Sequence, residues 1–377
     1  MTSDVIVIGG GIMGCSIAWR LAKEGARVVL VERDQPGAEA SSAAAGILIP
    51  EAGPHVPAPL LAHWLAALQM YPAFVATLHE ETGIPFEYRT TGRLVVAQDE
   101  QHLAVLQHGR HLQREAGVRA ELWTAEQVRA AEPAVAPDVA GGLFFPDHGL
   151  VDNRRLMACL AMAAARRGVL IRTGRPVTGL LWQGNRVCGV DICGEPLHAD
   201  AVVNAAGSWA GLVDAHMPLP VVPAKGQILA LEMRPPLCQR ILSTPEVSVV
   251  PRTDGRLIVG ATMETTGYDK SVTAGSLQRL LTSAIGLCPA LVEAPLSEAW
   301  AGLRPVVGDQ LPCVGGGLYD GLYVATGHFK MGILSAPATA EALVGLMVAG
   351  RSPLPIDAFS PLRFANQSVP KAEVPQA

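Results

Sequence analysis

The feature that most constrains this chain is Gly9-Gly10-Gly11-Ile12-Met13-Gly14, set between a β-branched run and a helical pattern. Asp4-Val5-Ile6-Val7-Ile8 has no polar alternation, as expected of a parallel strand buried on both faces. Residues 15–24 predict a helix stopped by Gly25, and 27–31 predict a second strand that Glu32 ends. Strand, turn, helix and strand in this order make a βαβ unit. Gly9, Gly11 and Gly14 then fit G-x-G-x-x-G: a tight turn, close backbone approach to a pyrophosphate, and close packing of helix on strand. Glu32 is placed to hold ribose hydroxyls and argues against a 2′-phosphate, leaving FAD or NAD.

Composition narrows the class. The chain has 377 residues, 49% hydrophobic and 17% charged, enough for two or three domains with ample core and too apolar for disorder. A net charge of −5 builds no electropositive field for phosphates, which disfavours nucleic-acid binding. The 39 glycines, 29 prolines and 5% aromatics fit a loop-rich α/β enzyme better than a helical bundle. Seven scattered cysteines, Cys15, Cys159, Cys188, Cys193, Cys238, Cys288 and Cys313, lack any C-x-x-C or zinc-finger spacing and read as buried reduced thiols. There is no metal cluster, and Asp4 interrupts the apolar start before a signal peptide can form. Residues 332–350 are apolar but contain Pro337 and Glu341, so a buried helix is expected rather than a membrane span. The expectation is a cytoplasmic protein.

Further along, the small-residue stretch Ser41-Ser42-Ala43-Ala44-Ala45-Gly46 reads as flexible, and 60–82 as one long helix that Pro72 should kink or split. Residues 86–89 and 93–96 look like strands about a Thr91-Gly92 turn. Helices follow over 98–116 and from Asp152, as N-cap, to 167, then a short buried strand at 169–171. Strands are expected at 187–192, 201–204 and 228–232, with a hairpin of 248–251 and 257–259 about Thr253-Asp254-Gly255. The last third holds a helix at 276–287 and strands near Trp300 and Tyr323.

Flavoproteins enclose the isoalloxazine with distant segments, and three are present: 41–46, 202–209 and 325–333. A helix N-terminus after the third would favour negative charge at one edge of a flavin. With Gly260-Ala261-Thr262-Met263 and Trp300-Ala301-Gly302-Leu303-Arg304-Pro305, these motifs occur in an order that resembles the glycine oxidase branch of the D-amino acid oxidase flavoproteins, over essentially the whole chain. The resemblance implies an α/β plus α+β architecture: a Rossmann-like FAD domain (1–85, 145–215 and 300–377) and a discontinuous substrate domain on a large antiparallel sheet (86–144 and 216–299). It implies non-covalent FAD held by Gly9, Gly11, Ile12, Met13, Gly14, Glu32, Arg33, Ser41, Ser42, Ala45, Gly46, Ile47, Val177, Ala206, Gly207 and Gly302. The flavin loop adds His328, Phe329, Lys330, Met331, Gly332, Ile333 and Leu334.

The implied chemistry is oxidation of an amine beside a carboxylate, with the flavin and no protein acid or base doing the work. Arg304 matches the family's carboxylate clamp, and its guanidinium fork suits a carboxylate held at two points. Lys330, Ser248, Glu246 and Met263 complete the implied substrate end. Lys225 matches a family position, either structural or near the flavin, and His328 should contribute backbone only. Two departures stand out. Ser248 occupies a position usually held by tyrosine, and Lys330 one usually held by arginine, which suggests a roomier pocket. The implied substrate is glycine or a related small or N-substituted amino acid, oxygen the acceptor, peroxide a product, and supply of an imine to thiamine biosynthesis the setting. A dehydrogenase passing electrons to a quinone or partner stays open, as does homo-oligomer formation, common among family members.

Overall fold

The computed structural model describes residues 3–216 and 219–365. Its first eight-stranded sheet has a parallel centre in which Ser3–Ile8 lies between Glu195–Asn204 and Val28–Val31, with Leu170–Arg172 beyond and Leu322–Thr326 beside Glu195–Asn204. Antiparallel strands Gly179–Gln183, Arg186–Ile192 and Cys313–Gly316 extend it. On one face pack the helices Ile12–Lys23, Ala58–Thr82, Asn153–Arg166 and Gly332–Ala349, joined in one apolar core. The glycine turn makes the first of these contacts possible. A Cβ on Gly14 would sit 1.8 Å from the Gly9 carbonyl oxygen.

The second eight-stranded sheet runs in the order Leu296–Val307, Val221–Glu232, Arg256–Gly260, Ser248–Pro251, Ile241–Ser243, Arg93–Ala97, Gly141–Phe145, Glu121–Thr124. Its period of two sorts the side chains. Leu229, Leu231, Val249, Leu257 and Val259 face the helix Ala274–Leu287, while Ile228, Ala230, Val250 and Ile258 face the other way, toward Ala45, Ile47 and Trp300. The strand Leu296–Val307 pairs along Val221–Glu232 and passes through position 300 without a break.

Several local expectations need correction. The large sheet is antiparallel as expected except at one pair, where Ile241–Ser243 runs parallel to Arg93–Ala97. Tyr88–Arg89 and Arg93–Ala97 do not form a hairpin; the former joins a three-stranded sheet with Ile47–Leu48 and Gly149–Val151. The helix Ala58–Thr82 continues through Pro72, its face fixed by Tyr71, Phe74, Val75 and Leu78, with the Tyr71 hydroxyl donating to the Ile333 carbonyl at 2.8 Å. Packing of that face outweighs the amide hydrogen bond that proline cannot make. Residues 41–46 are not loose: Ala40–Ala43 is a helical turn. The strand at 169–171 becomes Leu170–Arg172, and Leu170 is 54% exposed at the sheet edge. The helical stretches Ala58–Thr82 and Phe329–Ala349 are long and apolar enough to cross a membrane, yet here their helices pack on one another.

Candidate functional site: a dinucleotide cavity with a basic end

Where the two sheets meet lies a cavity of about 1320 Å³, larger than most small-molecule sites. It begins at the glycine turn. Gly9 adopts φ +98°, and a Cβ there would lie 2.6 Å from the Ala205 carbonyl oxygen. The helix Ile12–Lys23 opens with no side-chain cap and no acid in its first turn, so its amide edge is available to an anion, apart from Ile12 N–H, which donates to Ser41 Oγ at 2.9 Å. Glu32 Oε2 accepts from Gly10 N–H at 2.6 Å and Oε1 from Asp34 N–H at 2.9 Å, which fixes the carboxylate at the cradle. Arg33 lies 3.7 Å over the Trp209 ring and pairs with Glu39 at 2.5 Å. Val177 lines the same cavity, as do Ala206 and Gly207.

The wall formed by 41–46 is held from behind. Asn153 Nδ2 donates to the Ser41 carbonyl at 2.7 Å, and Arg252 donates to the carbonyls of Ala45 (2.8 Å) and Val151 (2.9 Å). Arg252 is 3% exposed, with its pKa lowered by burial. Neither Asn153 nor Arg252 carried a motif signal; their role exists only once three chain segments meet. Gly46, at φ +69°, lets the wall touch the Val151 carbonyl, which a Cβ would approach to 2.0 Å. Gly302 does the same against Ala43, at 2.5 Å from its Cβ.

The opposite side is the segment 326–333. Thr326 Oγ1 donates to the Gly207 carbonyl at 2.9 Å, Phe329 takes φ +48°, and the turn Phe329–Met331 runs directly into Gly332–Ala349, whose first turn has no acid. His328 Nε2 and His63 Nε2 both meet Thr339 Oγ1, at 3.0 and 3.1 Å. Burial pushes the His328 pKa down to about 3, so the ring is neutral. Ile12, Met13, Ala45, Ile47 and residues 328–333 line the cavity. Gly14, Ser42 and Leu334 do not: Gly14 serves packing, Ser42 offers its carbonyl to Asn153 and Arg154, and Leu334 is fully buried in the core.

At the far end the cavity turns basic. Arg304 sits opposite Ala224 in the strand pair, its guanidinium lying over Gly226, where a Cβ would be 2.2 Å from Nη2. Nη1 donates to the Thr262 carbonyl at 3.1 Å and lies 3.7 Å from Met263 Sδ. Among the described residues, Nε and Nη2 have no hydrogen-bond partner and no carboxylate is in ion-pair range. Burial lowers the Arg304 pKa to about 10. Lys330 lines the same end, its pKa lowered first by burial and then by the charge of Arg304. Ser248 meets Ser243 Oγ at 2.9 Å, which accepts from Arg93 Nε at 3.0 Å. Arg93 also lines the cavity and pairs with Glu51 at 2.5 Å; no motif singles it out. Glu246 is exposed at the rim, accepting from Thr244 Oγ1 at 2.8 Å. Lys225 is structural: 1% exposed, outside the lining, bonded to Asp269 at 3.1 Å.

The uncapped helix start, the glycine cradle without room for side chains and the length of the cavity fit a dinucleotide that carries a flat ring system. Comparison with known proteins decides which one. The family model for FAD-dependent oxidoreductases, DAO, matches residues 4–346. The chain belongs to this FAD-dependent oxidoreductase family.

Within it, the oxidoreductase is 38% identical, over 98% of its length, to the bifunctional protein ThiO/ThiG of Synechocystis, of which it covers 55%. It thus spans about half the length of the ThiO/ThiG relatives it matches. It is 34% identical to glycine oxidase of Pseudomonas aeruginosa, covering 94% of this chain and 97% of that one. The crystal structure of glycine oxidase from Geobacillus kaustophilus superposes with a TM-score of 0.90 at 32% identity, covering 95% of this chain and 98% of that one. Among the described residues this oxidoreductase has no cluster of metal-ligating side chains, and its cysteines are unpaired thiols, Cys193 exposed and Cys188 half-buried.

Proposed function

We propose that this chain oxidises glycine, or a related small or N-substituted amino acid, with oxygen as the final acceptor, giving an imine that hydrolyses to keto acid and ammonia or amine, and hydrogen peroxide. The observation that carries the reading is the free Nε–Nη2 edge of Arg304, a half-buried cation in the cavity lining beside Lys330, with no carboxylate in ion-pair range among the described residues. A substrate carboxylate completes that edge with two charge-assisted hydrogen bonds. FAD, when bound, supplies the two-electron acceptor for the hydrogen on the amine-bearing carbon. Glu32, the Ile12–Lys23 helix start and the 41–46 wall would hold the cofactor, and Arg304 would orient the substrate against it. His328 stays neutral and bonded to Thr339, so it adds shape and backbone rather than a proton. With Ser248 where a larger side chain would fill space, the pocket suits substituents beyond glycine's hydrogen.

The relationship to ThiO/ThiG supports a place in thiamine biosynthesis, and the unpaired thiols support a reducing, cytoplasmic setting. The deciding experiment adds glycine to the yellow holoprotein without air. Bleaching of the oxidised-flavin band, with peroxide formed on turnover in air, is expected. A holoprotein that neither glycine nor any small N-substituted glycine reduces overturns the reading, and reduction without peroxide in air overturns the oxygen assignment.

A further inference from the structure

Residues 261–273 join the strand Arg256–Gly260 to the helix Ala274–Leu287, and from 264 onward they do not take a short route. Both ends are pinned to the strand Val221–Glu232. Glu264 and Lys225 exchange backbone hydrogen bonds at 2.9 Å, and Thr273 N–H donates to Gln227 Oε1 at 2.8 Å. Between these pins the segment arches across to the cofactor side. The Tyr268 hydroxyl donates to the Ser208 carbonyl at 2.9 Å, with its ring 5.3 Å from that of Trp209. Lys270 Nζ reaches Glu39 at 3.1 and 3.2 Å, and Glu39 also holds Arg33. Lys225, buried beneath, anchors the arch through Asp269 at 3.1 Å.

Ser208, Trp209, Arg33 and Glu39 all line the dinucleotide cavity, and they come from two different turns of the parallel sheet. The arch therefore ties the substrate-side sheet to both turns at once. Its own residues from 265 to 273 are exposed, so the latches are held by a few polar contacts and not by a core. Such contacts are weak singly and open readily.

We propose that residues 264–273 form a strap that ties the substrate-side sheet to the two turns lining the cofactor cavity, latched by Tyr268 to Ser208 and by Lys270 to Glu39, which opens to let FAD in or out. The proposal rests on FAD as the cofactor and not on which amine is oxidised. A latch of this kind holds the empty and the filled protein closed alike, so weakening it changes rates more than affinity.

The test compares holoprotein and the Y268F/K270A double variant. FAD release is followed by the rise of flavin fluorescence after dilution, and uptake by its quenching when apoprotein meets FAD. Losing one neutral hydrogen bond and one exposed ion pair should speed both release and uptake by about tenfold, with the dissociation constant little changed. Unchanged rates, or faster release alone with a matching loss of affinity, would overturn the strap. Thermal melting of the apoproteins should coincide, since the latches are exposed; a large drop would show a merely structural segment. None of these readouts uses an amino acid, so they stand or fall apart from the proposed reaction.

Discussion

Arg304→Ala is the perturbation that reaches furthest into the proposed chemistry. In the free protein the guanidinium spends one nitrogen, Nη1, on the Thr262 carbonyl and leaves Nε and Nη2 for the ligand. Two charge-assisted hydrogen bonds, at about 1.5–3 kcal/mol each, put the loss for the carboxylate at about 3–6 kcal/mol. That corresponds to a fall of roughly 10²–10⁴-fold in kcat/KM, most of it in KM if the clamp binds ground and transition states alike. Stability should move the other way or not at all. The half-buried charge has no ion-pair partner among the described residues, and desolvation has pulled its pKa to about 10 against the opposing pull of Glu264, so an Arg304→Met variant should melt no lower than the parent. The assay pairs anaerobic flavin reduction by the best amino acid with steady-state peroxide formation, at equal FAD content. A fall in kcat/KM of less than tenfold, with the flavin fully bound, would refute the clamp.

Gly226→Ala should reproduce much of that loss without touching Arg304, because the new Cβ would lie 2.2 Å from Nη2 and must push the guanidinium aside; retained KM would show that the fork tolerates displacement. Ser248→Tyr should fill the wall beside Ser243, lowering kcat/KM for N-substituted glycines more than for glycine, and equal effects on both would count against a roomier pocket. Stability should fall as the pH drops from about 6.5 toward 4. Burial holds His63 and His148 at about 4 and His328 at about 3, so the unfolded chain takes up protons that the folded one refuses. Each such histidine costs about 1.4 kcal/mol per pH unit. Chemical unfolding across that range should show the slope, and His148→Gln should reduce it by about one proton.

The dinucleotide turn was legible because its physics is local: Gly9, Gly11, Gly14 and Glu32 lie within one βαβ unit, and the backbone they require follows from their own side chains or lack of them. The Asp152 cap, accepting from Arg155 N–H at 3.0 Å, was legible for the same reason. The family resemblance added the role of Arg304, which no short-range pattern could assign. What only the tertiary structure decided lies where separate segments meet. Pro72 gave a local reason to break a helix, and the face carrying Tyr71 and Phe74 overrode it. Arg252 and Asn153 became supports for the 41–46 wall, and Arg93 part of the cavity, through partners far away in sequence. Thr91-Gly92 separates two sheets instead of joining a hairpin, because strand partners are chosen by which face each strand can bury. Sequence by itself determined the cradle, through residues that act on their own backbone. The basic end, its supports and the contacts of residues 264–273 with the cofactor turns were decided by packing, which brings charges and carbonyls from distant segments to within hydrogen-bonding distance.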